Sequence, residues 1–315
     1  MEKLISIVTP FYNESEAIES YFKALSSILE DRNHEIICVD DGSRDDSLKK
    51  LVEQSESDNR VVVVELSRNF GKEAALSAGL QQAAGDCVII LDADLQDPPE
   101  LIPEMIDLWV KGADMVLAKR SDRKSDTKLK QFTANSFYKI YNYFAEVPIP
   151  ENVGDFRLMD RSVLDAVNGM PERNRFMKGI LSWPGFVTET VEYERPERLE
   201  GTTKWNYPKL FQLSLDGIIA FSNLPLKLAI LLGLTASVSA ISYAVYTFVK
   251  TLILGIDVPG YASLLVVTLT LGGLILICLG IIGEYLSRIY VEVKGRPLFL
   301  VRKVHSAKKD SPSDS

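Results

Sequence analysis

CVIILDADLQDPPE, residues 87–100, is the stretch on which the fold turns. It opens as a short, wholly apolar run, the pattern of a strand buried on both faces of a sheet. It then breaks into Asp92, Asp94 and Asp97, followed by Pro98 and Pro99, which open the next helix as proline does at a first turn. The strand is expected over Cys87–Asp94. Similar runs flank it: Leu4–Pro10 (LISIVTP), Glu35–Asp41 (EIICVDD), Arg60–Leu66 (RVVVVEL) and Met115–Lys119 (MVLAK). Helical stretches fit between them at Ser15–Leu29, Asp45–Ser55, Lys72–Ala84 and Pro99–Val110. Apolar strands alternating with helices predict an α/β domain with a mostly parallel sheet. Ligands of such sheets bind beyond the carboxyl ends of the strands. Polar clusters stand at those ends: Tyr12–Glu14, Asp40–Ser43 and Asp92–Asp97.

The chemistry of these clusters is narrowed by what is missing. No GxGxxG follows the first strand, no GxxxxGK[ST] occurs, and no GxSxG occurs. Two histidines, His34 and His305, and three dispersed cysteines, Cys38, Cys87 and Cys278, speak against zinc chemistry and against a disulfide framework. What remains is rich in carboxylates. The oxygens of Asp92, Asp94 and Gln96 suit a hard cation, Mg²⁺ or Mn²⁺, able to neutralise a diphosphate leaving group. A lone Asp after a strand is as readily a turn former or helix cap. The length of DADLQDPPE makes it more specific than that.

Farther out, the composition splits. Leu228–Val249 and Val258–Gly283 carry no charged residue. Each exceeds the roughly 20 residues that a helix needs to cross a bilayer about 30 Å thick. The short link between them predicts a transmembrane hairpin. Residues 228–315 hold eight Lys/Arg and five Asp/Glu, a net +3, so the total of -8 leaves -11 on residues 1–227. That acidic balance excludes a general nucleic-acid binder. Lys227 precedes the first span, and Arg288, Lys294, Arg296, Arg302 and Lys303 follow the second. The positive-inside rule then places both termini in the cytoplasm. Residues 1–20 lack the apolar run of an export signal, and His305–Ser315 reads as a frayed polar tail. In Pro208–Leu224, Lys209, Gln212, Asp216 and Asn223 fall in one narrow helical stripe among apolar residues, the pattern of an interfacial helix. Phe137, Ile140, Tyr141 and Phe144 recur at helical spacing and fit either a core stripe or a second interfacial helix. The expected divisions are a catalytic domain over 1–207, an interfacial helix over 208–227, a hairpin over 228–286 and a cytoplasmic segment over 287–315.

TPFYNE (Thr9–Glu14), DDGS (Asp40–Ser43), SRNFGK (Ser67–Lys72) and DADLQDPPE together resemble the inverting family 2 glycosyltransferases of GT-A fold. Within these the chain resembles the polyprenyl-phosphate hexosyltransferases, with the dolichyl-phosphate mannose synthases similar in the first half. ADMVLAKRSDR (Ala113–Arg123), ENVGDFRLMDR (Glu151–Arg161), RNRFMKGILSW (Arg173–Trp183) and the two-span tail look closer to the bactoprenol glucosyltransferases, which are often encoded by prophages. The resemblance runs from about Leu4 to Arg302. It implies a GT-A (Rossmann-like) catalytic domain that transfers glucose from UDP-glucose to undecaprenyl phosphate at a bacterial inner membrane, for O-antigen or other envelope glycans.

The same resemblance implies the site. Pro10, Tyr12 and Glu14 would line the nucleotide pocket, with Val39 and Asp41 on the uridine. Asp92, Asp94 and Gln96 would hold the metal. Arg120, Arg198 and Lys204 would face the diphosphate, as guanidinium and ammonium groups suit phosphate oxygens. Asp155 of GDFRL stands where the family places its proposed base, and with Asp94 it carries the catalytic expectation. Yet a phosphate monoester has its second pKa near 6, so the acceptor needs little help from a base. Asp155 is therefore also read as orienting Arg157 or the sugar. Arg123 and Lys128, in a local +4 cluster of Lys119–Lys130, are the expected contacts for the lipid phosphate. A homotetramer, a separate flippase and a downstream transferase are implied as partners. The alternatives are the same reaction with mannose, a modified arabinose or an amino sugar, and a non-catalytic membrane scaffold that binds sugar nucleotides.

Overall fold

A computed structural model of the chain describes residues 3–121, 150, 152–173, 175, 177–194, 224–254 and 260–307. The described residues up to 194 form one compact unit with 297–307; the second comprises 224–254 and 260–296.

The first unit is a sheet with helices on both faces. Its strands are β1 (Ile5–Phe11), β2 (His34–Asp40), β3 (Val61–Leu66), β4 (Cys87–Ile90), β5 (Met115–Arg120), β6 (Val153–Asp160), β7 (Thr188–Tyr193) and β8 (Val301–Ser306). Their order is β7-β5-β6-β4-β1-β2-β3-β8. Strands β1, β2, β3 and β4 pair parallel, as do β5 and β7. Only β6 and β8 run against their neighbours. The central strands are runs of Ile and Val with almost every side chain buried, which suits a pleated surface covered on both sides.

The helices follow from the spacing of their apolar residues. Helix α1 (Ile18–Leu29) buries Ile18, Tyr21, Leu25 and Leu29, one stripe at intervals of three and four. Helix α2 (Ser47–Ser57) buries Leu51, and α4 (Ile102–Val110) buries Ile102, Met105, Ile106 and Trp109 behind the 3₁₀ turn Pro99–Leu101. Each such fully buried Leu or Ile contributes roughly 1.5–3 kcal/mol. Helix α3 (Lys72–Gln82) differs: Ala74–Leu80 are all buried. Small residues let its backbone press onto β1 and β2. A Cβ on Gly79 would lie 2.4 Å from Val8 Cγ1 and 3.0 Å from Val39 Cγ2. Helix α5 (Arg161–Asn168) starts under a side-chain cap, Asp160, which accepts from the Ser162 N–H. The short α6 (Met177–Ser182) completes the set.

Three features depart from the sequence reading. Strand β4 ends at Ile90, so Asp92 and Asp94 stand on the turn beyond it rather than in it. Strands β6 and β7 widen the sheet beyond the five expected strands. Finally, His305 and Ser306 belong to β8, not to a frayed tail. The reason is local: Glu65 on β3 is 8% exposed, and β8 brings it Arg302 Nη1 at 3.2 Å and His305 Nε2 at 3.1 Å. The Ser67 N–H also donates to the Leu300 carbonyl at 2.9 Å, and the edge of β3 is covered.

The second unit is a pair of long helices, α7 (Leu224–Leu254) and α8 (Tyr261–Val293). Leu226–Ile253 and Val266–Val293 are each long and apolar enough to cross a membrane. Helix α8 runs past the expected end at 283, carried by charged residues that include the Glu284–Arg288 pair at 3.2 Å, one helical turn apart. The two helices meet near Ala229, whose carbonyl faces Cys278 Sγ at 3.8 Å, while large apolar side chains such as Ile253 and Leu276 point outward. Of the interfacial helix expected over 208–227, residues 224–227 belong to α7, while 208–223, like the Phe137–Phe144 stripe, lie outside the described residues.

Candidate active site

The turns after β1 and β2 are sewn together by short polar side chains. Asn13 adopts a left-handed φ of 53°. Its N–H donates to Ser43 Oγ at 3.1 Å, and its Oδ1 accepts from the Arg44 N–H at 2.8 Å. The Glu14 N–H donates to Ser47 Oγ at 2.9 Å. Gly42, at φ 67°, lets the turn after β3 lie against it: a Cβ there would sit 2.5 Å from the Arg68 carbonyl carbon. That third turn is held by Asp41, whose Oδ1 and Oδ2 accept from the N–H groups of Phe70 at 2.7 Å and Gly71 at 2.9 Å. Burial raises the Asp41 pKa, and those two N–H groups oppose the rise.

Asp41 thereby fixes where α3 begins, and its first residue is Lys72. The Lys72 ammonium meets both oxygens of Asp92, at 2.7 and 2.8 Å, and Asp155 Oδ2 at 2.7 Å. Burial works against this ammonium, but the charges of Asp155 and Asp92 prevail and raise its pKa above the usual lysine value. Asp155 lies near the start of β6, whose antiparallel pairing with β4 sets Arg157 opposite Ile90 and carries Asp155 past the end of β4. Burial opposes the Asp155 charge as well; Lys72 above all, with Lys178 and Arg157, more than compensates and holds it below the ordinary carboxylate range. Burial leaves Asp92 raised despite Lys72. Glu73, beside Lys72, is pushed up to about 7 by burial and by the charge of Asp155.

A cleft of about 270 Å³ opens over these turns. Of the sequence-predicted residues, Pro10, Tyr12, Glu14, Asp41, Asp92 and Asp94 line it, together with Asn69, Gly71 and Lys72. Val39 does not: its side chain is fully buried and packs beneath α3 at Gly79. Gln96 follows Leu95, which takes a left-handed φ of 49°, an uncommon conformation for a leucine and one that gathers at functional turns. The Gln96 N–H donates to Asp94 Oδ1 at 3.2 Å. Arg120 ends β5 beside the start of β6. Its Nε donates to Tyr193 Oη at 3.2 Å, and its Nη2 lies 3.5 Å from Asp97 Oδ1. Tyr193 in turn donates to Asp97, and burial with that carboxylate pushes its phenol up to about 12. Arg157 is not oriented by the Asp155 carboxylate; it donates to the main-chain carbonyls of Gly154 at 2.9 Å and Asp155 at 3.4 Å. Arg123, Lys128, Arg198 and Lys204 lie outside the described residues.

Among the described residues, no three His, Cys, Asp or Glu side chains converge as a ready-made metal cage. Two carboxylates on the cleft wall, Asp92 and Asp94, with the amide of Gln96 close in sequence, are instead a partial set of hard donors. A divalent cation that completes its shell with phosphate oxygens and water fits such a set. Sequence reasoning missed Lys72, Glu73, Asp97 and Tyr193. The signal for Lys72 was its place in SRNFGK after the third strand, matching the three polar clusters that also follow strands.

The family model for glycosyl transferase family 2 matches residues 6–167, and that for the GtrB C-terminal hairpin matches residues 224–289. A glycosyltransferase of Synechocystis sp. described as uncharacterized is 52% identical over 299 residues, 94% of each chain. The SfII prophage-derived bactoprenol glucosyl transferase of Shigella flexneri is 48% identical over 303 residues, 96% of this chain and 98% of its own. A prophage bactoprenol glucosyl transferase homolog of Escherichia coli is also 48% identical, over 302 residues, 95% of this chain and 99% of its own. Among solved structures, mannosyl-3-phosphoglycerate synthase of Rubrobacter xylanophilus shares the fold, at TM-score 0.50 and 18% identity over 69% of this chain and 72% of its own. The carboxylate-rich cleft at the strand ends and the apolar helix pair therefore belong to one known plan: the chain is a member of glycosyl transferase family 2, carrying the GtrB-type C-terminal hairpin.

Proposed function

We propose that the protein transfers glucose from UDP-glucose to undecaprenyl phosphate, with inversion, at the cytoplasmic face of a bacterial inner membrane. The observation that carries this reading is the similarity to bactoprenol glucosyl transferases across both units, cleft and hairpin alike. The acceptor phosphate oxygen forms a bond to the anomeric carbon, and the bond from that carbon to the diphosphate breaks. UDP leaves with the electron pair. One displacement turns an α-linked donor into a β-linked product.

Pro10, Tyr12, Glu14, Asp41 and Asn69 form the nucleotide end of the cleft. Asp92, Asp94 and Gln96 would hold Mg²⁺ or Mn²⁺, which supplies positive charge against the departing diphosphate. Arg120, kept in place by Asp97 and Tyr193, faces the same charge, and Arg198 and Lys204, which follow β7 in sequence, are assigned to it as well. The acceptor arrives largely as a dianion. Asp155, held below the ordinary carboxylate range, is a weak proton acceptor and serves as a fixed anion that orients the donor sugar. Catalysis then rests on positioning and electrostatics.

The topology supports the membrane reading. Strand β8 follows α8 in sequence and hydrogen-bonds to β3, so the chain on both sides of the hairpin contributes to one sheet. That fits an even number of crossings, and the Lys/Arg flanks favour the cytoplasm for both ends. Arg123 and Lys128 are the proposed contacts for the lipid phosphate, and a homotetramer is the proposed assembly. The product, a lipid-linked phosphoglucose, calls for a separate flippase and a further transferase.

The test is a donor panel: purified protein in detergent with undecaprenyl phosphate and radiolabelled UDP-glucose, GDP-mannose or UDP-linked amino and pentose sugars, resolved by thin-layer chromatography. Label from UDP-glucose should enter the lipid fraction, and only with a divalent cation present. Preference for another sugar would revise the donor; no transfer from any donor would favour a scaffold and overturn the reading.

A further inference from the structure

Among the described residues, Lys72 bridges Asp92 and Asp155, and no role in the proposed mechanism accounts for it. Its ammonium lies 2.7 Å from Asp155 and takes both oxygens of Asp92. It stands on the cleft wall as the first residue of α3. The backbone there is fixed twice over. Asp41 accepts from the two N–H groups just before Lys72, and the buried Ala74–Leu80 face of α3 is wedged against the sheet. Just behind it, Glu73 Oε2 accepts from the Met177 N–H at 3.3 Å and ties the start of α3 to α6. Little of the chain can move at this point; the flexible part of Lys72 is its four-carbon stem.

A divalent cation held by Asp92 would compete with this ammonium for the same two oxygens. Two cations on one carboxylate repel, and the stem of Lys72 allows the ammonium to turn fully to Asp155, which it already touches. We propose that Lys72 is a positioning residue that competes with the divalent cation for Asp92 and remains on Asp155 when the cation takes it. The inference rests on the transferase reading for its reaction, but not for its metal competition. Two consequences follow. Lys72 holds Asp92 in place while discouraging metal binding by the bare protein, so that diphosphate oxygens are needed to complete the cation shell. It also keeps Asp155 aimed when Asp92 is engaged. Loss of Lys72 should therefore tighten binding of the metal alone while slowing turnover, whereas loss of a merely structural residue would weaken both.

The test uses full-length protein in detergent, titrated with Mn²⁺ alone and followed by electron paramagnetic resonance of the free ion. Lys72→Met should bind Mn²⁺ about fivefold more tightly than wild type, the scale set by removing one competing ion pair. Lys72→Arg, which keeps the charge, should stay near wild type in that titration. In steady-state transfer to undecaprenyl phosphate, kcat of Lys72→Met should fall about a hundredfold, with a much smaller change in KM for UDP-glucose. Weaker or unchanged Mn²⁺ binding in Lys72→Met, with Lys72→Arg folded, would overturn the proposal, as would an unchanged kcat. Should wild type transfer no sugar while Lys72→Met still gains Mn²⁺ affinity, the functional reading fails and the competition stands. Should Lys72→Met not fold, Lys72→Gln takes its place in both measurements.

Discussion

Glu73 shows how far the environment of a single residue governs this site. Burial first, and then the charge of Asp155, push its pKa from 4.5 to about 7. The folded chain thus keeps the Glu73 proton across a window in which the unfolded chain has lost it. Stability from this group is present below about 4.5 and is lost as pH rises through about 7. Glu73→Gln should match wild type in Tm near pH ~4.5 and exceed it near pH ~8, the two curves separating between. Thermal unfolding across that range checks this, and parallel curves would contradict it. Residues of this kind were the hardest to read from sequence. Asp92 and Asp94 announce themselves because charge erupts at the end of an apolar run. Lys72 and Glu73 open a helix rich in ordinary helix formers and look like solvated surface. The partners of Lys72 stand 20 and 83 positions away, and nothing local points to them.

Gly42 decides how the turns after β2 and β3 pack. Its φ of 67° lets the turn after β2 reverse, and its missing side chain lets the turn after β3 lie against it. Gly185 has nearly the same φ, 69°, with nothing within 4 Å. Gly42→Ala should therefore cost about 2–4 kcal/mol, backbone strain and overpacking together, and should weaken UDP binding. Gly185→Ala should cost only about 1–2 kcal/mol, the strain alone, and leave UDP binding intact. Thermal unfolding and calorimetric titration with UDP separate the two; equal effects would contradict this account of the turn. The elements themselves were largely legible. Strands β1, β2, β3 and β5 and helices α1 to α4 fall close to where apolar runs and helical periodicity set them. Strands β7 and β8 were not, because TETVEY and VRKVHS are polar edge sequences. What recruits β8 is a buried glutamate on another strand, a partner that no window of local sequence contains.

At the scale of the whole molecule, the mean hydropathy of +0.05 averages two unlike parts. One is an acidic sheet domain with a carboxylate-rich cleft; the other is a helix pair that presents Ile253, Leu276 and their neighbours outward. The division was visible in the two uncharged runs. The return of the chain from α8 to the sheet, where β8 pairs with β3, was not. Under the proposed function, the acceptor of the sheet domain is a lipid phosphate confined to the membrane surface. The central claim is a single displacement by a lipid phosphate on the donor sugar. It is tested most directly by phosphorus-coupled proton NMR of the lipid product made by the purified protein from UDP-glucose and undecaprenyl phosphate. The expected result is a glucose anomeric proton coupled to phosphorus in the β configuration; an α-configured anomeric centre, or a sugar not bonded to phosphate, would contradict it.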